Sequence, residues 1–231
     1  MAEHRRVGDR VAKDALYAAF AEMAGALGSG RRAEIVDLLA QGERSVEEIA
    51  EQIGQSVANT SHHLRTLARA GLVTTRREGT RIFYALSSGR VEQMWAAVRA
   101  VAEEHAAGLD KLAQAYLGDR AELEAIDRRA LVARMRGGDV IVLDVRPAAE
   151  YTAGHITGAR SLPIAELRRR LRDLPADTEI VAYCRGPYCV YADDAVRRLT
   201  EQGFHATRLQ DGFPEWKKAG LPVAVGSENH R

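Results

Sequence analysis

The chain has 231 residues, 46% of them hydrophobic and 28% charged, which is enough apolar material for packed cores and unlike a disordered chain. With 33 basic and 32 acidic residues the formal charge is +1, so the molecule as a whole supplies no basic field and any hold on nucleic acid must come from local charge. The longest early apolar stretch, Ala15 to Ala21, is far too short for a membrane span and lacks the layout of a secretory signal, so a cytoplasmic protein with no membrane partner is expected.

From Val11 to about Leu117 the rhythm is mainly helical. Leu16, Phe20, Met23 and Leu27 form one stripe, Ile35, Leu38 and Leu39 a second, and Val46, Ile49 and Ile53 a third. Ser45 with Glu48 makes a capping box for a helix that Gly54 ends. The next helix starts near Ser56 and is expected to bury Val57, Ser61, Leu64 and Ala68, with Leu67 flanking. Its other face then offers Asn59, His62, His63 and Thr66, with Ser56, Thr60 and Arg65 beside it. "LVTTRREGTRIFYAL" alternates at period two around Glu78-Gly79 and reads as a hairpin tipped by Arg76, Arg77 and Arg81. Between Ser56 and Arg90, six arginines against Glu78 give a local charge of +5, a surface suited to phosphates. A polar-faced helix for the major groove and a basic hairpin for the backbone are the parts of a winged helix-turn-helix.

The segment from about Asp14 to Leu117 resembles the ArsR family of winged-helix repressors, most closely in "SVEEIAEQIGQSVANTSHHLRTLARAGLV" and the hairpin after it. The resemblance implies a homodimer on double-stranded operator DNA, closed by the first and last helices of the domain. A last helix is available in Val91, Met94, Trp95, Val98, Val101, Leu109, Leu112 and Tyr116, which recur at helical spacing. Metal-sensing relatives use cysteines in the reading helix or acid and histidine ligands on the last one. Residues 47–70 hold no cysteine, and Glu103, Glu104 and His105 are a weak set, so neither a metal nor another cofactor is expected and a metal-sensing repressor is the lesser alternative.

"YLGDRAELEAID" is the expected joint, dividing a winged-helix domain over residues 11–118 from a second domain over 119–226. Beyond it, "DVIVLDV", "ARSLPI", "EIVAYC" and "HATRLQ" read as strands between helices, which points to a parallel sheet covered by helices on both faces. The chain's two cysteines, Cys184 and Cys189, flank "RGPY" just behind the strand "EIVAYC". Without an export signal they should meet a reducing environment, so the pair reads as reactive rather than structural. A helix starts near Val190, and amides of the loop Arg185, Gly186, Pro187, Tyr188, Cys189 and Val190 would favour a thiolate or persulfide on Cys184. Pro187 contributes shape only, and Arg185 adds a cation. A phosphatase or arsenate reductase would need an arginine where Val190 stands.

Around this loop, "LDVRPAAEYTAGHITGARSLP" and "LQDGFPEWKKAGLPV" complete a resemblance to rhodanese domains over roughly residues 122–225. The motif positions are Asp144, Arg146, Glu150, Tyr151, Gly154, His155, Ile156, Gly158 and Ala159, then Gly212, Trp216, Gly220 and Pro222, with Asp211 where a glycine is common. The resemblance implies sulfurtransferase activity with Cys184 as nucleophile, a donor such as thiosulfate or polysulfide, and a thiol acceptor. Asp144, Arg146 and His155 are read as supports of strand ends and loops, and Cys189 either as a resolving thiol or as an apolar filler. The combined expectation is a DNA-binding regulator that carries sulfane sulfur on Cys184. The alternatives are a constitutive sulfurtransferase with the winged helix as a dimerisation scaffold, or a rhodanese domain that binds with little turnover.

Overall fold

A computed structural model describes residues 9–138, 140–175 and 177–226. The chain passes from one compact unit into a second between Glu104 and His105. In the first unit α1 (Arg10–Gly25) and α2 (Gly30–Leu39) precede a short strand β1 (Arg44–Ser45), α3 (Val46–Gln52) and α4 (Val57–Arg69). A hairpin of β2 (Val73–Glu78) and β3 (Arg81–Leu86) leads to α5 (Gly89–His105). The hairpin is antiparallel, with Thr75 opposite Tyr84 and Glu78 opposite Arg81, and β1 adds a third strand beside β3. Gly79, at φ 58°, supplies the left-handed residue that a two-residue turn needs.

One core holds this unit together. Ile35 and Val36 of α2, Ile49 of α3, Leu64 and Leu67 of α4, and Leu72 pack together at 1% exposure or less. Each such side chain contributes about 1.5–3 kcal/mol on leaving water. Met94 and Trp95 of α5 pack on the edge, and the Trp95 indole donates to Asp37 at 2.6 Å.

The second unit opens with α6 (Leu109–Leu117). The continuous last helix expected from Val91 to Tyr116 is thus two helices, because Gly108 takes a left-handed φ of 82° at the start of α6. Then follow β4 (Ala125–Ile126), α7 (Arg128–Gly137), β5 (Val140–Asp144), α8 (Ala148–Ala153), β6 (His155–Ile156), β7 (Arg160–Ser161) and α9 (Ile164–Arg170). A single 3-10 turn leads to β8 (Glu179–Tyr183), α10 (Val190–Glu201), β9 (Ala206–Leu209), α11 (Phe213–Lys218) and β10 (Val223–Ala224). Asp139, the first residue of the predicted strand "DVIVLDV", lies outside the described residues.

Five parallel strands form one sheet in the order β4-β9-β8-β5-β7, and β10 pairs with β6 apart from it. The near-continuous apolar runs of β5 and β8 follow from burial on both faces. Ile141, Leu143, Ile180 and Ala182 face one core with Leu167 and with Ala195, Val196 and Leu199 of α10, while Val142, Val181 and Tyr183 face another with Leu131, Phe213 and Trp216. This is the expected two-domain arrangement, a mainly helical winged helix-turn-helix followed by an α/β unit with helices on both faces. Among the described residues no helix is long and apolar enough to cross a membrane.

Candidate functional site

In the first unit the capping box closes α3: the Glu48 N–H donates to Ser45 Oγ at 3.3 Å and the Ser45 N–H to Glu48 Oε2 at 2.8 Å. Gly54 turns the chain at φ 60°, and Ser56 starts α4 with its hydroxyl oxygen accepting from the Asn59 N–H at 3.2 Å. The helix then buries Thr60, Leu64 and Leu67, each at 0% exposure. The expected stripe is therefore rotated: Val57 is 46% exposed, Ala68 is exposed and Ser61 is half-buried. Thr60 moves from the reading face into the core, because its hydroxyl donates to the Ser56 carbonyl at 3.0 Å and a threonine satisfied on its own helix packs like an apolar residue.

What remains outward matches the polar face. Asn59, His62 and Arg65 are exposed, and His63 and Thr66 are half-buried beside them. Burial, then Arg32, His62 and Arg31, hold the His63 pKa below its ordinary 6.5. Arg77 and Arg81 are exposed on the hairpin, with the Arg77 side chain donating to the Gly79 carbonyl at 3.1 Å. Arg76 is already engaged: Glu43 accepts from it at 2.6 Å and Glu78 at 2.7 Å, and these hydrogen bonds raise its pKa further. The local charge of the hairpin is smaller than the residues from Ser56 to Arg90 imply, because Glu43, 33 positions upstream, folds onto it.

In the second unit β8 carries Cys184 to the carboxyl edge of the sheet, where open parallel sheets place ligands. Cys184 and Cys189 are joined in a disulfide, with Cα atoms 6.2 Å apart, rather than present as the free thiols expected of a reducing environment. The five-residue loop brings the sulfurs together instead of turning them apart. In this state Cys184 is 2% exposed and Cys189 is half-buried, as are Arg185, Gly186, Pro187, Tyr188 and Val190. The Cys189 N–H donates to the Gly186 carbonyl at 3.1 Å, so that amide is turned into the loop's own turn.

The loop is braced on two sides. The Phe213 N–H donates to the Cys184 carbonyl at 3.0 Å, and Gly212 lies so close that a Cβ there would sit 2.2 Å from the Gly186 nitrogen. Only glycine permits that approach. Arg185 donates to Glu150 at 2.6 Å, so the cation expected beside the sulfur carries its own counter-charge; burial works against the guanidinium, and the Glu150 hydrogen bonds outweigh it.

Asp144, Arg146 and His155 are wholly buried behind the loop. Arg146 donates to Asp144 at 2.6 Å and to the Gly154 carbonyl at 2.7 Å. The Tyr183 hydroxyl donates to Asp144 at 2.5 Å and accepts from the Ile156 N–H at 3.1 Å; burial, then Asp144, push its pKa well above 10.0. His155 stacks on Tyr151 at 3.6 Å, with Nδ1 2.8 Å from the Tyr151 carbonyl oxygen. Tyr183 and Arg120 carried no motif signal. Arg120 lies in the segment expected from the sequence to be a joint; it belongs to the second unit and reaches the cysteine loop.

Residues 29–75 match the bacterial regulatory protein, arsR family, and residues 127–219 match the Rhodanese-like domain. The chain is 48% identical over 215 residues to the HTH-type transcriptional regulator Rv0324 of Mycobacterium tuberculosis, covering 93% of this chain and 94% of that one. A sulfurtransferase of Allochromatium vinosum is 33% identical over 102 residues, which are 43% of this chain and 94% of that protein. Among solved structures, the homodimeric winged helix-turn-helix DNA-binding domain from Mycobacterium bovis is 44% identical and covers 46% of this chain and 94% of that one, with a TM-score of 0.41. A protein similar over nearly its whole length carries the same two parts, and the chain belongs to this family of ArsR-type transcriptional regulators with a C-terminal rhodanese domain.

Proposed function

We propose that the protein is a homodimeric, cytoplasmic DNA-binding regulator whose affinity for operator DNA follows the sulfur chemistry of Cys184 and Cys189. The observation that carries this reading is the bonded pair at the carboxyl end of β8, one sulfur buried and the other half-buried, in a chain that also carries a winged helix with a polar outer face. The reduced Cys184 thiolate attacks the outer sulfur of thiosulfate, a sulfur–sulfur bond forms, and sulfite leaves. The Cys189 thiolate then attacks the Cys184 sulfur of the persulfide, expelling hydrosulfide and leaving the disulfide. The bonded pair is the product of that second step, and further sulfur transfer waits for a thiol to reduce it.

For the DNA half, Asn59, His62, His63, Arg65 and Thr66 would meet base edges and sugar-phosphate, while Arg77 and Arg81 meet phosphates. The outer side of α1 supports a dimer: Leu16, Tyr17, Phe20 and Met23 are each at least 45% exposed, an apolar stripe that a second copy would cover. A constitutive sulfurtransferase with an idle winged helix is favoured by one observation, the carboxylates that occupy Arg76.

Two experiments decide. Peptide mass spectrometry after thiosulfate or polysulfide treatment of reduced protein should find one added sulfur atom on Cys184 in Cys189→Ser, a disulfide with released sulfide in wild type, and no gain in Cys184→Ser. No gain in Cys189→Ser contradicts the sulfur chemistry. Changing Arg76, Arg77 and Arg81 to alanine should weaken DNA binding and lower the salt slope by about one for each phosphate that is no longer neutralised. An unchanged slope favours the scaffold.

A further inference from the structure

Arg120 stands outside the segment that matches the rhodanese domain, which begins at residue 127, and three residues after the end of α6. Its side chain is buried to 20% exposure and ends on the cysteine loop. The guanidinium donates to the Pro187 carbonyl at 2.9 Å, to the Cys189 carbonyl at 3.4 Å, and to Asp193 of α10 at 2.5 Å. Asp193 is 1% exposed and also faces Arg208 at 3.5 Å, so two guanidiniums share one carboxylate. The neighbouring Asp119 is tied to the same helix, its carbonyl accepting from Arg197 at 2.7 Å. Two consecutive residues of the segment that follows α6 are thus fastened to α10, and one of them also to the loop.

The geometry fixes more than position. All peptide bonds of the described chain are trans, and in a trans peptide the N–H points opposite to the C=O of the same plane. Holding the Pro187 and Cys189 carbonyls on one guanidinium therefore turns the N–H groups of Tyr188 and Val190 away from it, and the nearby cation polarises both peptides in the sense that strengthens those donors. We propose that Arg120 is a positioning residue for the sulfur site, orienting the Tyr188 and Val190 amides so that they stabilise a negatively charged sulfur on Cys184. This inference rests on the reading of Cys184 as a sulfur carrier. It adds that a residue of the second unit upstream of the matched rhodanese segment, and not that segment alone, completes the anion cradle.

The test uses full-length reduced protein and follows iodoacetamide alkylation of Cys184 by peptide mass spectrometry as a function of pH. In Arg120→Ala the midpoint of the alkylation profile should move up by about one unit, so that the rate at pH well below the wild-type midpoint falls roughly tenfold, because the thiolate is the reacting form. Arg120→Lys keeps the charge but offers a single ammonium that cannot hold three acceptors in one plane, and should recover only part of the rate. Thermal melting identifies any variant that fails to fold, and Arg120→Lys then serves alone. A profile superimposable on wild type in a folded Arg120→Ala, or in Arg120→Lys where only that folds, overturns the proposal. The parent reading is judged separately: added sulfur on Cys184 of Cys189→Ser decides it, whatever the Arg120 variants do to the profile.

Discussion

At the scale of single residues, burial decides what each charge can do. Arg146 and Asp144 are both at 0% exposure, and their mutual hydrogen bonds replace the water each has lost. Replacing Arg146 with methionine keeps much of the volume and leaves the Asp144 carboxylate uncompensated, so chemical denaturation of the variant should register a loss of about 3–5 kcal/mol. A loss under about 1 kcal/mol would mean that the pair does not anchor the loop. His63 is the opposite case, a half-buried imidazole held below 6.5 by burial and then by Arg32. A depressed value in the free protein and a raised one beside phosphate mean that DNA binding takes up a proton. Affinity should therefore tighten as the pH falls through the neutral range toward that lowered value, and His63→Asn should remove this contribution to the pH dependence. A wild-type affinity flat between pH 8 and 6, about the span over which histidine titrates, would place His63 away from the phosphates.

At the scale of elements, the carboxyl end of β8, the start of α10 and the turn into α11 converge on the cysteine loop. Gly212 sets the spacing, since a Cβ would meet the Gly186 nitrogen at 2.2 Å. Gly212→Ala should push the loop away from α11 and reduce sulfur loading of Cys184 in thiosulfate assays. Wild-type loading in a folded Gly212→Ala would show that the loop tolerates displacement. Much of this was legible in the sequence: short apolar runs between helical segments placed β5, β8 and β9, and Ser45 with Glu48 announced α3. Of the strands of two residues, β7 lay in the predicted run "ARSLPI", whereas β1, β4, β6 and β10 were not legible, because two residues carry no period. The face of α4 was rotated because Thr60 counts as polar in a pattern, whereas its hydroxyl is satisfied on the helix itself. Glu43 on Arg76 and Arg120 on the loop were invisible because each pairs residues far apart in the chain, which only the fold brings together.

At the scale of the whole molecule, the proposed sulfur chemistry and the proposed DNA-reading face belong to different compact units, and within the second unit the segment that follows α6 reaches the cysteine loop. Linkage requires that if the loop's state alters that segment, the segment alters the loop in return. Amide hydrogen exchange over residues 118–123 should therefore differ between the dithiol and disulfide forms of wild type, and that difference should vanish in Arg120→Ala. Equal exchange in the two wild-type forms would leave the loop mechanically isolated. The most direct measurement is the affinity of one preparation, held as dithiol, as disulfide and, through Cys189→Ser, as persulfide, for a duplex selected by the protein from a random library at fixed salt. The account predicts dissociation constants that differ by roughly fivefold or more between the dithiol and at least one sulfur-modified form. Equal constants in all three forms would contradict it.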